Sequence, residues 1–296
     1  MISFTASAKI NLNLLVTGRR DDGLHLIDSL AVFADLADRL DITAAATDRF
    51  DITGPMATML EAKDDNLVIR ARDAFRDATG WRQPLAITLE KHIPVAAGIG
   101  GGSADAAAVL TALNRLSGEP LDDDRLAALG LGLGADIPVC LAAPRGAAWR
   151  MRGIGDAITP VSLPQAETRA TGPGLVLLNT GVTVSTADVF RARAAAETPF
   201  APTPDYPAVI DPAGFAGLIR LGNSLTEAAS AVCPDIEAGA LLIRDLAESG
   251  GALGHGMSGS GATFFAVFDT VAAARATAES HPPPCWHWAG GLFQPS

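Results

Sequence analysis

The chain has 296 residues, 48% hydrophobic and 19% charged. That balance excludes disorder as the main state, and the length allows one large domain or two ordinary ones. A formal net charge of −11 argues against a nucleic-acid partner, but leaves room for anionic small molecules in a locally positive pocket. Cys140, Cys233 and Cys285 are too few and too scattered for a disulfide scaffold or a cysteine zinc site. No basic stretch followed by an unbroken apolar run opens the sequence, and no run approaches about 18 apolar residues. The expectation is a soluble, cytoplasmic protein without a membrane partner, as a monomer or a homodimer.

Residues 8–16 alternate. Ala8, Ile10, Leu12, Leu14 and Val16 share one face, and Lys9, Asn11 and Asn13 the other, which predicts a strand. Residues 18–23 read as a turn. Residues 67–78 carry a helical apolar stripe that Gly80 ends, and 85–90 read as a strand. A glycine-rich loop at 94–104 leads into a helix predicted over Ala104 to Leu116. Residues 130–141 read as a loop entering a short element. Strand 174–179 and helix 186–196 follow. The proline-rich stretch 199–212 holds the only tyrosine, Tyr206, and reads as a loop. A helix over 235–249, a second glycine loop at 257–261, strand 263–268, a helix near 270–279 and a short tail complete the chain. Strands and helices mix without a βα repeat, so the fold class is α+β, divided as 1–155 and 156–296.

The strongest chemical signal is the run Gly98 to Ala104, which stands between a strand and a helix. Glycines let backbone N–H groups approach a ligand, and the helix that follows adds a positive N-terminal end suited to phosphate. Ser103 is expected to cap that helix and to offer its hydroxyl to a phosphate or a metal ion. The pattern is neither a P-loop, since Gly102 stands where lysine is required, nor the dinucleotide motif, since Ser103 replaces the third glycine. Lys9, Asn11 and Asn13 form either a solvent-open strand face or the wall of a polar cleft; asparagines disfavour strands, so their presence in one points to the cleft. Asp136, among apolar residues, needs a partner, or else forms an Asx-type turn or a helix cap. His25 follows the charged turn. Ser258, Ser260 and Thr263 can shape a tight turn or bind. No hydrolase elbow, zinc motif or metal-ligand histidine spacing is present, and no resident metal site is expected.

Three segments together resemble the GHMP kinases, the group that includes galactokinase, homoserine kinase and mevalonate kinase. They are AKINLNLLVTGRRDDGLHLIDSL (8–30), PVAAGIGGGSADAAAVLTALN (94–114) and MSGSGATFFAVF (257–268). The first segment, with GADIPVC at 134–140 and GVTVSTADVF at 181–190, is similar to the members that phosphorylate a cytidyl-diphosphate sugar alcohol on the non-mevalonate route to isoprenoid precursors.

The resemblance implies a two-domain fold with the active site in the interdomain cleft. It implies ATP-dependent phosphorylation of the 2-hydroxyl of a methylerythritol moiety, with Mg2+ accompanying ATP. Lys9 and Asp136 match the catalytic pair. Pro94, Val95, Ala96, Ala97, Gly98, Ile99, Gly100, Gly101, Gly102, Ser103 and Ala104 match the ATP-phosphate loop. Asn11, His25 and Phe190 match substrate positions, the last two at the cytosine. Leu24 departs from the tyrosine that often precedes this histidine. A homoserine-type or mevalonate-type kinase, or a catalytically silent binding protein on the same scaffold, remains open.

Overall fold

The computed structural model describes residues 1–60, 66–118, 121–163, 172–206 and 209–293. In chain order the strands are β1 Ile2–Asn11, β2 Leu15–Arg19, β3 His25–Ala44, β4 Arg49–Thr53, β5 Leu85–Glu90, β6 Ala148–Gly153, β7 Ala157–Pro160, β8 Gly174–Asn179, β9 Gly254–Met257, β10 Thr263–Phe268 and β11 Trp286–Gly291. The helices are α1 Leu67–Thr79, α2 Gly101–Leu116, α3 Asp123–Leu133, α4 Ile137–Ala142, α5 Thr186–Ala195, α6 Pro212–Arg220, α7 Thr226–Val232, α8 Asp235–Gly250 and α9 Val271–Ser280. The mixture is α+β, as expected. No described helix is long and apolar enough to cross a membrane.

Two compact units emerge, and both are discontinuous. The first takes residues 1–8, 36–95 and 100–143; the second takes 9–35, 96–99 and 144–296. A single cut after residue 155 does not reproduce them. The reason is that β1, β3 and the glycine loop each contribute residues to both units.

In the first unit the later half of β3 pairs antiparallel with β5, and β5 pairs parallel with β4. The apolar face of β5, Leu85, Ile87 and Leu89, is buried, as are Val68 and Phe75 of α1 and Val109, Leu110 and Leu113 of α2. Asn66 caps α1 by accepting the Val68 N–H at 2.9 Å, and Gly80 ends it in the left-handed region. The expected loop over 130–141 is helical in two pieces, α3 and α4. Gly130 sits inside α3 because a Cβ there would come within 2.7 Å of Ile137 Cγ2. The glycine therefore serves close packing of α3 on α4 rather than a turn.

In the second unit the early half of β3 pairs with β2 and β6, and β6 with β7. A separate antiparallel sheet has the order β11-β8-β10-β9. Every residue of β8 and β10 is buried, which explains why both read as continuous apolar runs rather than alternating ones. The predicted strand over 8–16 is interrupted between β1 and β2. There the Asn13 side chain replaces ladder bonds: its Oδ1 accepts the Leu30 N–H at 2.9 Å and its Nδ2 donates to Leu218 O at 2.9 Å. Tyr206 ties the proline-rich segment to the same point. Its hydroxyl donates to Asn13 Oδ1 at 3.2 Å, its ring lies 4.2 Å from the Arg150 guanidinium carbon, and burial pushes its pKa up to about 12. Residues 207–208 of that segment lie outside the described residues.

Candidate active site

The polar face of β1 is buried. Lys9, Asn11 and Asn13 are each 3% exposed or less, so the solvent-face reading is excluded. Buried polar groups need partners, and these are supplied in sequence. Lys9 Nζ donates to Asn11 Oδ1 at 2.9 Å, and Asn11 Nδ2 donates to Ser29 Oγ at 2.8 Å. Ser29 Oγ in turn donates to the Asn13 carbonyl. Ser29 was not singled out from sequence; its place on β3 opposite the asparagines is the only signal, and it depends on register.

His25 and Phe190, expected at one subsite, do meet: their ring centroids are 5.2 Å apart and their planes 32° from parallel. Burial, then the nearby cations Arg19 and Arg193, hold His25 below its ordinary value. A neutral imidazole offers one donor and one acceptor, which suits a nucleobase edge. Leu24, beside it, is 49% exposed.

The glycine loop has two parts. Its tip, residues 96–99, belongs to the second unit and is held there by backbone. Thr263 N donates to Ala97 O at 3.1 Å, and Lys9 N to Ile99 O at 2.9 Å. Gly98, at φ 74°, lies so close to the second glycine loop that a Cβ would fall 2.2 Å from Gly261 O. Ser258 Oγ joins the three segments, accepting from Asn11 N at 3.1 Å and donating to Gly98 O at 3.3 Å. Asn223 braces the second loop by donating to Met257 O and Gly259 O, both at 2.8 Å. Ser258 and Thr263 thus shape the turn, and Ser260 is bonded to Thr186 at 2.8 Å.

The start of α2 belongs to the first unit. Gly100, at φ 65°, is the residue before the helix, and no side chain caps it. The capping role expected of Ser103 is not observed. Ser103 is the third helical residue, because the helix begins at Gly101 rather than near Ala104. The first intrahelical bond runs from Ala104 N to Gly100 O at 2.8 Å. The amides of Gly101, Gly102 and Ser103 therefore have no intrahelical acceptor, and the helix dipole adds positive potential where they lie.

Asp136 stands directly before α4, half-buried, and its side chain does not cap that helix. The capping alternative for this carboxylate is thereby removed.

Sequence reasoning missed a second buried lysine. Lys91, Asp38 and Asp105 are 3%, 0% and 3% exposed and lie together in the first unit. Their separation in sequence hides the cluster; only the placement of Lys91 just before the glycine loop could have hinted at it.

Residues 66–143 match the GHMP kinases N terminal domain, and residues 210–280 the GHMP kinases C terminal domain. The 4-diphosphocytidyl-2-C-methyl-D-erythritol kinase of Cereibacter sphaeroides is 48% identical over 277 residues, covering 93% of this chain and 92% of that protein. The chain belongs to the GHMP kinases, in the 4-diphosphocytidyl-2-C-methyl-D-erythritol kinase family. A crystal structure of a 4-(cytidine 5'-diphospho)-2C-methyl-D-erythritol kinase superposes with a TM-score of 0.77 at 33% identity, over 99% of this chain and all of that one. Homoserine kinase from Cytophaga hutchinsonii gives a TM-score of 0.63 at 16% identity, covering 99% and 96%, and shares the fold alone. Family membership makes the chain a phosphotransferase with an alcohol acceptor.

Proposed function

We propose that the chain transfers the γ-phosphoryl group of ATP to the 2-hydroxyl of 4-diphosphocytidyl-2-C-methyl-D-erythritol. The observation that carries this reading is 48% identity to a kinase of that name across nearly the whole chain. The bond from the acceptor oxygen to the γ-phosphorus forms, the bond from that phosphorus to the bridging oxygen breaks, and ADP leaves. Such a transfer depends on positioning and charge neutralisation more than on covalent chemistry.

In this reading the uncapped amides of Gly101 to Ser103 hold the ADP phosphates. Asp136 accepts the hydroxyl proton. Lys9, oriented by Asn11, neutralises charge on the migrating group. His25 and Phe190 take the cytosine. Among the described residues no cluster of three or more His, Cys, Asp or Glu side chains could hold a metal. That donor set fits a Mg2+ carried in by the triphosphate, with Ser103 as the protein ligand and water completing the shell. The ion would supply Lewis-acid neutralisation of phosphate charge. Both substrates are small anions; the reading needs neither nucleic acid nor membrane, and it places the reaction in the cytoplasm, on a monomer or a homodimer.

The test is ADP release with MgATP and a panel of acceptors: 4-diphosphocytidyl-2-C-methyl-D-erythritol, mevalonate, homoserine and galactose. Turnover with the first alone is expected; turnover with another alcohol overturns the substrate. Asp136→Asn is expected to fold and bind ATP while kcat falls by about 10²-fold or more, the range for a positioned general base. Near-normal turnover in that variant removes Asp136 from the mechanism.

A further inference from the structure

Lys91 lies one turn of chain before the glycine loop, and Asp105 lies two residues after Ser103. Between them stands Asp38 of β3. Lys91 Nζ donates to Asp38 Oδ2 and, at 2.8 Å, to Asp105 Oδ2. The other Asp38 oxygen accepts the backbone N–H groups of His92 at 2.6 Å and Ile93 at 2.9 Å. One buried carboxylate therefore holds the strand that enters the loop, and one ammonium links it to the helix that leaves. The cluster lies directly under the first turn of that helix: a Cβ on Gly101 would come within 3.5 Å of Lys91 Nζ and 2.9 Å of Ile93 Cγ2.

A fold that needed only to fill this space could do so with apolar side chains, since buried ion pairs are weak sources of stability. We propose that Lys91, Asp38 and Asp105 are positioning residues that lock both arms of the glycine loop and so aim the first-turn amides of α2 at a nucleoside triphosphate. The inference rests on the kinase reading and adds the residues that set its nucleotide site.

Asp105 Oδ1 is buried without a hydrogen-bond partner, so Oδ2, paired with Lys91, carries the hydrogen bonding of this carboxylate. Selectivity between the two substrates then separates positioning from packing, because the cluster bonds to residues beside the nucleotide loop.

The experiment is calorimetric titration of the full chain with MgADP alone, alongside KM for each substrate. Asp105→Leu is expected to weaken MgADP binding and raise KM for ATP by about tenfold or more, the scale of a small misplacement. KM for the acceptor should stay within about threefold, and Asp105→Asn should recover most of the loss. Equal shifts in both KM values, or an Asp105→Asn variant that recovers none of the loss, would overturn the positioning role. Should Asp105→Leu fail to fold, Lys91→Met decides by the same split between the two KM values. A wild type that binds no MgADP would instead refute the kinase reading.

Discussion

In residues 94–104 glycines stand at the start of a sixteen-residue helix; in residues 257–263 they stand between two strands. Both stretches combine glycine and serine, and from sequence both are candidate binding loops. Their polar groups go to different ends. In the second loop Ser258 bonds to Asn11 and Gly98, Ser260 to Thr186, and the carbonyls of Met257 and Gly259 to Asn223. These groups are taken up internally. In the first loop the tip is held in the same way, but the helix that follows starts without a side-chain cap. In the proposed reading the anion site therefore follows from the element that the loop opens onto, not from its composition. The second loop acts as the mould that fixes the tip of the first.

Three substitutions probe this contrast. The largest effect is expected from Gly98→Ala. The residue adopts a left-handed φ of 74°, and its Cβ would meet Gly261 O at 2.2 Å, a backbone atom that cannot turn aside. Denaturant titration should show a loss of about 3 kcal/mol or more. A loss under about 1 kcal/mol would mean that the two loops are not mutually moulded.

Asn223→Ala should cost less, about 1–3 kcal/mol, because Met257 O, Gly259 O and the Leu225 N–H each lose a partner. Unchanged stability would show that water replaces the amide freely and that the second loop needs no brace. The smallest effect on stability belongs to Gly102→Ala. Gly102 is helical, and the nearest atom to a Cβ there is Leu67 Cδ2 at 4.0 Å. Alanine should be neutral or stabilising by up to about 1 kcal/mol, since glycine in a helix costs that much. Any cost of this change must then appear in ligand binding rather than in folding.

Much of this was legible in sequence wherever one rule governed. Asn66 and Gly80 bracket α1 as capping chemistry requires, and the apolar runs of β8 and β10 could hardly be anything but buried strands. Tertiary context decided the rest. Gly130 and Gly132 read as a loop, yet both lie in α3, Gly130 because Ile137 occupies the space of its missing side chain. The twenty residues of β3 carry no single strand pattern that the sequence makes legible. Its two halves pair with β6 and β5, partners separated by more than fifty positions in the chain, and no local period shows that. β11 has no local signal for the same reason, since its strand character comes from pairing with β8.

The candidate site divides in a similar way. The row Lys9, Asn11 and Asn13 stood out because amides are out of place in a strand, and burial bears out that something other than solvent faces them. His25 and Phe190 were linked by resemblance, and their rings pack together. Serine before a helix usually caps it, which is the expectation for Ser103, but Gly100 takes that place and leaves Ser103 inside the first turn. Lys91, Asp38 and Asp105 escaped notice because each is unremarkable in its own segment. Only the pairing of β3 with β5, and the entry of α2 beside them, brings the three charges together.

The central claim is that the uncapped start of α2 receives the phosphates of ATP, and Gly102 tests it most directly because the protein itself leaves room there for a methyl group. Titrating MgADP into wild type and Gly102→Ala, with thermal unfolding of both in parallel, separates fold from ligand. The account predicts an unfolding temperature equal to or above that of the wild type, with affinity weakened by about tenfold or more, because the added Cβ stands among the amides that face the phosphates. Equal affinity in the two proteins would contradict the account and move the phosphate site away from this helix.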